Sequence, residues 1–252
     1  VLRPGCRAKG IDIVKILQRV VARLRTAWPQ VDILVRADSH FSTPEVHEFC
    51  RDHDVRFLLG QGTNSTLKAR VAPTLSQAQD LFDADPASAP VRLFTEFAYQ
   101  AGTWAQPLRI VAKVKVSCLG TNVRFVTTNM TSSQPSFLYQ TAYAGRGATE
   151  NYIKNHKRFL HSDRTSCHRF EANQFRLLLH SAAYMLLHAF QELLLYGTQL
   201  QQAYFNTLQQ RLLKVGARVV ERGTVIRFHL PSSFPLQEIY HLIDRRLHPA
   251  PS

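Results

Sequence analysis

The sequence predicts an α/β protein: a largely parallel sheet unit over residues 1–60, interrupted by a β-rich insertion over 61–130. Helices follow over 131–200, then a helix–hairpin–helix segment over 201–252. Three observations predict this. Apolar residues recur at helical and then at strand spacing between residues 11 and 60. Val, Ile, Phe and Thr crowd the stretch from 91 to 128. Helical patterning then resumes from about Gln134 to Val215.

Ile13, Leu17, Val20, Val21 and Leu24 repeat every three or four positions, and Pro29 ends that helix. Val31–Ala37 reads as a strand that runs into Asp38. Ser42-Thr43-Pro44-Glu45 opens a helix, with a capping hydroxyl, a proline whose φ is already helical, and an acid in the first turn. Val55–Leu59 is a short buried-type strand that stops at Gly60. Helix–strand–helix–strand is the order that builds parallel pairs.

Residues 62–90 are small and polar, with a helix expected at Ser76–Phe82. Val91–Tyr99, Leu108–Val116 and Val123–Thr128 read as strands set apart from the first sheet. Glu171–Tyr196 is apolar on most sides and is expected to be buried against the sheet. Ala217–Val220 and Thr224–Leu230 form a hairpin across Glu221-Arg222-Gly223. Ile239, Leu242, Ile243 and Leu247 mark a closing helix before a Pro-rich tail, His248–Ser252, expected to fray.

Charge narrows the function. The 252 residues hold 31 Lys and Arg against 18 acids, a formal charge of +13. Such a protein meets a polyanion, and with no basic amphipathic anchor and no apolar run of membrane-spanning length, nucleic acid leads. No signal peptide is visible, and a cytoplasmic, nucleoid-associated protein is expected. Cys6, Cys50, Cys118 and Cys167 form no C-x-x-C pair, so neither a disulfide framework nor a structural zinc site is expected.

Two features could carry chemistry. Asp38 stands at the carboxyl end of a strand, where open α/β sheets place catalytic groups, although an Asp there can also simply cap the next helix. Tyr143, Arg146, Glu150, Lys154 and Lys157 share one face if the segment is a regular helix. An acid ringed by cations suits a carboxylate holding a metal beside cations holding phosphates. The same pattern also fits a solvated face where Glu150 pairs with Arg146 and Lys154. Arg158, His161, Arg164, His168 and Arg169 add positive charge next to it, opposed only by Asp163, which is the footprint of phosphate-backbone binding.

Tyr143-x2-Arg146-x3-Glu150-x6-Lys157 resembles, in full, the Y-x2-R-x3-E-x6-K signature of DDE transposases of bacterial insertion sequences. Arg36-Ala37-Asp38-Ser39-His40-Phe41 resembles the segment around their second catalytic Asp. Phe125–Asn129 looks like the strand end before the Glu helix, and Leu2-Arg3-Pro4-Gly5 like the turn after the third strand. The resemblance implies a partial RNase H-like (retroviral-integrase-like) domain with a β-rich insertion. It implies that Asp38 and Glu150, with a first Asp, ligate two Mg²⁺ ions, Mn²⁺ being a substitute. Arg146 and Lys157 would then hold phosphates, Tyr143 would hydrogen-bond a phosphate, and Trp104 would hold a flipped base, although core packing is the favoured role for this aromatic. Lys154, Lys157, Arg158, Arg164 and Arg169 would contact double-stranded DNA, and a homodimer on DNA would hold two transposon ends. No acid between Val1 and Gly10 can serve as the first Asp, and the chain begins at Val1. A fragment that does not cut DNA by itself is therefore expected. The alternative is a catalytically dead or repurposed DNA-binding remnant.

Overall fold

The computed structural model describes residues 8–85 and 90–248. The Leu2–Gly5 turn, Cys6 and the tail after His248 lie outside them, as does the Arg146 side chain. The chain forms two compact units, Gly5–Ala148 and Thr149–Ser252.

The first unit is α/β. Helix α1 (Gly10–Ala27) leads to strand β1 (Leu34–Ala37), helix α2 (Pro44–Asp52) and strand β2 (Arg56–Gln61). Helix α3 (Ser65–Ala84) and strands β3 (Val91–Tyr99), β4 (Leu108–Ser117) and β5 (Gly120–Thr128) follow. The five strands make one sheet in the order β1-β2-β5-β4-β3. Only β1 and β2 are parallel; the other neighbours are antiparallel. This corrects two expectations. The sheet is not largely parallel, and the β-rich segment continues it, because β5 returns to pair with β2. The tight turn between β4 and β5 makes those two strands reverse direction, whereas β2 and β5 meet across a long stretch of chain.

The β2–β5 seam is closed by side chains as well as backbone. Leu58 stands opposite Thr128, and Gly60 opposite Val126. Beyond the last pair, the Asn129 amide continues the ladder: its Oδ1 accepts from the Phe57 amide at 3.0 Å, and its Nδ2 donates to the Val55 carbonyl at 3.0 Å. Thr128 Oγ1 donates to the Phe57 carbonyl at 2.7 Å and accepts from the Met130 amide at 3.0 Å.

Both faces of the sheet are covered. Phe57, Leu59, Ile110, Ala112, Val114 and Phe125 enter the main core with α1, α2 and α3. Leu58, Val111 and Val126 point the other way, under Leu138. Helix α3 is 20 residues long, although Ser76–Phe82 alone was legible. Pro73 sits inside it, and its start depends on Asn64, whose side chain accepts from the Leu67 amide at 2.8 Å. Burial of Leu67, Val71 and Ala78 outweighs the weak local signal.

Residues 135–159 are a helical run of changing pitch. A short turn α4 (Pro135–Phe137) passes into a π-helical turn (Leu138–Tyr143) and a 3₁₀ turn (Ala144–Arg146). Helix α5 (Gly147–Lys154) and a second π-helical turn (Asn155–Phe159) complete it. The second unit then holds α6 (Phe170–Ala189), α7 (Phe205–Leu208), the hairpin β6 (Arg218–Arg222) and β7 (Val225–His229), and α8 (Gln237–Leu247). Gly223 supplies the positive φ, 57°, of the hairpin turn. Its core gathers Leu195, Leu200, Phe205, Leu208, Leu212, Leu236 and Ile239. Helix α6 was expected to be buried on most sides. Instead Asn173 is its one buried residue, and Phe175, Leu178, Met185 and Leu186 are exposed. Apolar content alone does not say which face finds a partner.

Cys50, Cys118 and Cys167 are free. Among the described residues, no helix is long and apolar enough to cross a membrane.

The Asn129 clasp sets a test. Asn129→Ala leaves the Phe57 amide and the Val55 carbonyl without partners, on residues that are each 1% exposed. Each orphaned group costs about 1–3 kcal/mol. Urea unfolding followed by tryptophan emission should show a matching drop in stability; an unchanged midpoint would show that the clasp is not needed to close the seam.

Candidate functional site

The first part of the site is built where β1 ends. The chain turns at Asp38–Phe41, with the Phe41 amide donating to the Asp38 carbonyl at 3.2 Å. Asp38 Oδ1 accepts from the His40 amide at 2.9 Å, and His40 Nδ1 lies 3.4 Å away. This side-chain turn is a common use of Asp, and it leaves the carboxylate half exposed at the carboxyl end of the parallel pair.

Gly60 reveals what stands beside it. A Cβ on Gly60 would meet the Tyr143 hydroxyl at 2.7 Å, the Ser39 amide nitrogen at 3.0 Å and the Asp38 carbonyl carbon at 3.3 Å. So the tyrosine of the signature and the strand-end aspartate converge over one glycine. A second interaction holds them there. Arg36, two residues before Asp38 on β1, donates from Nη1 to the Ala142 carbonyl at 2.8 Å. The same nitrogen lies 2.7 Å from where Gly145 would carry a Cβ. Arg36 thus clamps the Leu138–Arg146 turns to the Asp38 strand. Neither Gly60 nor Arg36 was assigned a role from the sequence. The available signal was a glycine at a strand end, which can mark close backbone approach.

Glu150 belongs to the second unit. It lies in the first turn of α5, is exposed, and an acid there is favoured by the helix dipole. The single α-helical face expected for Tyr143, Arg146, Glu150, Lys154 and Lys157 is corrected, because regular α pitch covers only Gly147–Lys154 of that span. Turns of other pitch rotate the flanking residues away from a 3.6-residue repeat. Lys154 Nζ rests 4.8 Å from the Tyr204 ring centre, a cation–π contact. Lys157, Arg158, Arg164 and Arg169 are exposed in the same unit. Arg169 Nε is 4.0 Å from Glu171, an exposed pair of little energetic weight.

Trp104 is 7% exposed. It packs edge-on to His47 at 4.9 Å and to Tyr99 at 5.4 Å between ring centres. It belongs to the main core cluster of the first unit. His47 is buried beside it and stacks on Phe57 at 5.3 Å. Its Nε2 is 3.2 Å from Ser42 Oγ, which donates to Gln61 Oε1 at 2.8 Å. Its Nδ1 has no hydrogen-bond partner among the described residues. Burial lowers the His47 pKa from 6.5 to about 4, with Glu45 opposing that shift.

Asp38 and Glu150 are accessible carboxylates, the hard oxygen donors that Mg²⁺ takes. Among the described residues no three His, Cys, Asp or Glu side chains gather into a metal-binding group. Mg²⁺ tolerates a sparse protein set, because it keeps waters and takes substrate phosphate oxygens. The donor chemistry therefore fits.

The whole chain, residues 1–252, matches the family described as transposase DDE domain group 1. The chain belongs to that family. Its members act in DNA transposition, and the enzyme class is that of a nuclease and strand transferase. DNA is the partner the family implies, and divalent metals are its general cofactors. No curated protein matches the chain.

Two outcomes test this local geometry. Gly60→Ala should destabilise the first unit, and adding Tyr143→Phe should restore part of that stability by removing the clashing hydroxyl. The coupling expected from a double-mutant cycle is about 0.5–3 kcal/mol; strict additivity would separate Tyr143 from Gly60. His47, with a folded pKa below its unfolded 6.5, contributes fully above pH 6.5, and that contribution disappears as pH falls from 6.5 to about 4. His47→Phe keeps an aromatic ring and should flatten the stability-versus-pH curve in that window; a curve parallel to wild type would rule His47 out as its source.

Proposed function

We propose that this protein cuts and rejoins DNA at the ends of a bacterial insertion sequence by in-line phosphoryl transfer. The observation that carries this reading is the approach of Tyr143 to Asp38 over Gly60. Two motifs 105 positions apart, each known only by resemblance, meet where neither local sequence requires it.

Asp38 and Glu150 are the carboxylates proposed to hold Mg²⁺, with Mn²⁺ as substitute. The bound ions supply charge that stabilises the attacking and leaving oxygens. Tyr143 donates its hydroxyl to a phosphate oxygen beside Asp38. Arg36 holds Tyr143's segment in register, so it is a positioning residue. Arg146 and Lys157 neutralise phosphates flanking the scissile bond. Lys154, Arg158, Arg164 and Arg169 extend that binding along duplex DNA. A homodimer would bring two ends together.

The test uses a protein that carries a first Asp as well, and a duplex bearing the element's ends. Asp38→Ala and Glu150→Gln should each abolish cleavage in Mg²⁺ while leaving DNA binding within about twofold, because uniform binding comes from the cations. Tyr143→Phe should slow cleavage by about a hundredfold, the scale for removing one donor to developing charge. Full activity with Glu150→Gln would refute the catalytic assignment. Intact binding with no cleavage by the wild type in Mg²⁺ or Mn²⁺ would identify a DNA-binding remnant instead.

A further inference from the structure

The outer end of the five-stranded sheet carries a charge arrangement that folding alone does not favour. Arg92 on β3 stands opposite Lys115 on β4. Lys113 on β4 stands opposite Arg124 on β5. Residues opposite one another in an antiparallel ladder share a face, so all four cations project from the same side. Like charges placed directly opposite destabilise a sheet.

Among the described residues no acid offsets them. Glu96 is on the same face, but it is held by Arg109 Nε at 2.8 Å, and Arg109 Nη1 and Nη2 also donate to the carbonyls of Met130 and Ser133. Among the described residues no carboxylate pairs with Arg92, Lys113, Lys115 or Arg124. Lys113 is half-buried, its Nζ 5.3 Å from the Tyr139 ring centre. Burial first, then Arg92 and Lys115, lower its pKa. Phe94, opposite Lys113, lies 6.0 Å from Tyr139. Those two rings lie beside Lys113.

Bland explanations fall short. A solubility surface intersperses both signs. Cations that guard an edge strand against pairing belong on the edge. Here β3 is the edge, while Lys113, Lys115 and Arg124 stand on interior strands. Neighbouring strands lie about 4.8 Å apart and alternate residues about 6.8 Å apart, so the four charges spread over a surface rather than converge on one small anion. A polyanion with closely spaced charges suits that layout, and duplex DNA carries one per about 1.7 Å of axis.

We propose that Arg92, Lys113, Lys115 and Arg124 form a second phosphate-binding surface, across which the protein lays the backbone of duplex DNA. This rests on the DNA reading above but names a different surface, in the first unit. The like-charge repulsion built into the sheet is relieved when DNA is bound.

The test is the salt dependence of binding to duplex DNA for wild type, for Lys113→Gln/Lys115→Gln/Arg124→Gln, and for Lys157→Ala/Arg158→Ala. The triple variant should flatten the slope of log K against log salt by about one unit for each phosphate it no longer neutralises. Lys113→Arg/Lys115→Arg should keep the wild-type slope. The single exposed substitutions Arg92→Gln and Arg124→Gln should each move the slope in the same direction, with an unfolding midpoint at or above that of wild type. A wild-type slope in the triple variant, with Lys157→Ala/Arg158→Ala reduced, overturns this surface and leaves the DNA reading standing. No DNA binding by the wild type overturns both. Abolished binding to anionic phospholipid vesicles with the DNA slope unchanged assigns the surface to a membrane and overturns the proposal.

Discussion

The pairing of β2 with β5 is the constraint on which the first unit depends. Strand β2 ends a parallel α/β half, and β5 ends an antiparallel meander. Their four-residue register, extended by Thr128 and Asn129, makes one sheet of the two. The partners are 64 (Gln61 and Phe125) to 74 (Val55 and Asn129) positions apart in the chain. Closing so long a loop costs entropy that grows slowly with length, and the buried Phe57, Leu58, Leu59, Phe125 and Val126 offset it on both faces at once. A one-residue slip would turn each of these faces inside out.

The seam also sets what reaches Asp38. Because Leu58, Val111 and Val126 present an apolar patch on one face, the turns at 135–143 fold down over them through Leu138. That packing carries Tyr143 to Gly60, where the missing Cβ lets its hydroxyl settle against the Asp38 turn. Arg36 then ties the same turns to β1. Packing places the tyrosine, the glycine admits it and the arginine holds it. The π-helical pitch of Leu138–Tyr143 belongs to this arrangement, since wider turns are a recurring feature of functional helices.

The excess positive charge is distributed over both units. In Thr149–Ser252 it is contiguous in sequence, from Lys154 to Arg169. In Gly5–Ala148 it is assembled across three strands from residues that alternate with apolar ones. The first kind is visible in any charge plot. The second has no local signature, because each cation on a strand looks like the ordinary solvent side of a half-covered sheet.

By itself the sequence determined the alternation of helix and strand through residue 60, the three strands between 91 and 128, the closing hairpin and α8, because each follows from local periodicity and turn chemistry. The family was legible as well, since the whole chain matches the family's model. Only the tertiary structure decided that β5 joins β2 and makes the sheet mixed, since strand partnership depends on contacts no window contains. It alone decided that α3 runs through Pro73, that α6 leaves Phe175 and Leu178 exposed, and that Trp104 is core beside His47. The same holds for Gly60 and Arg36. A glycine and an arginine gain their roles from what a distant segment places against them, and backbone packing, not residue type, chose that neighbour.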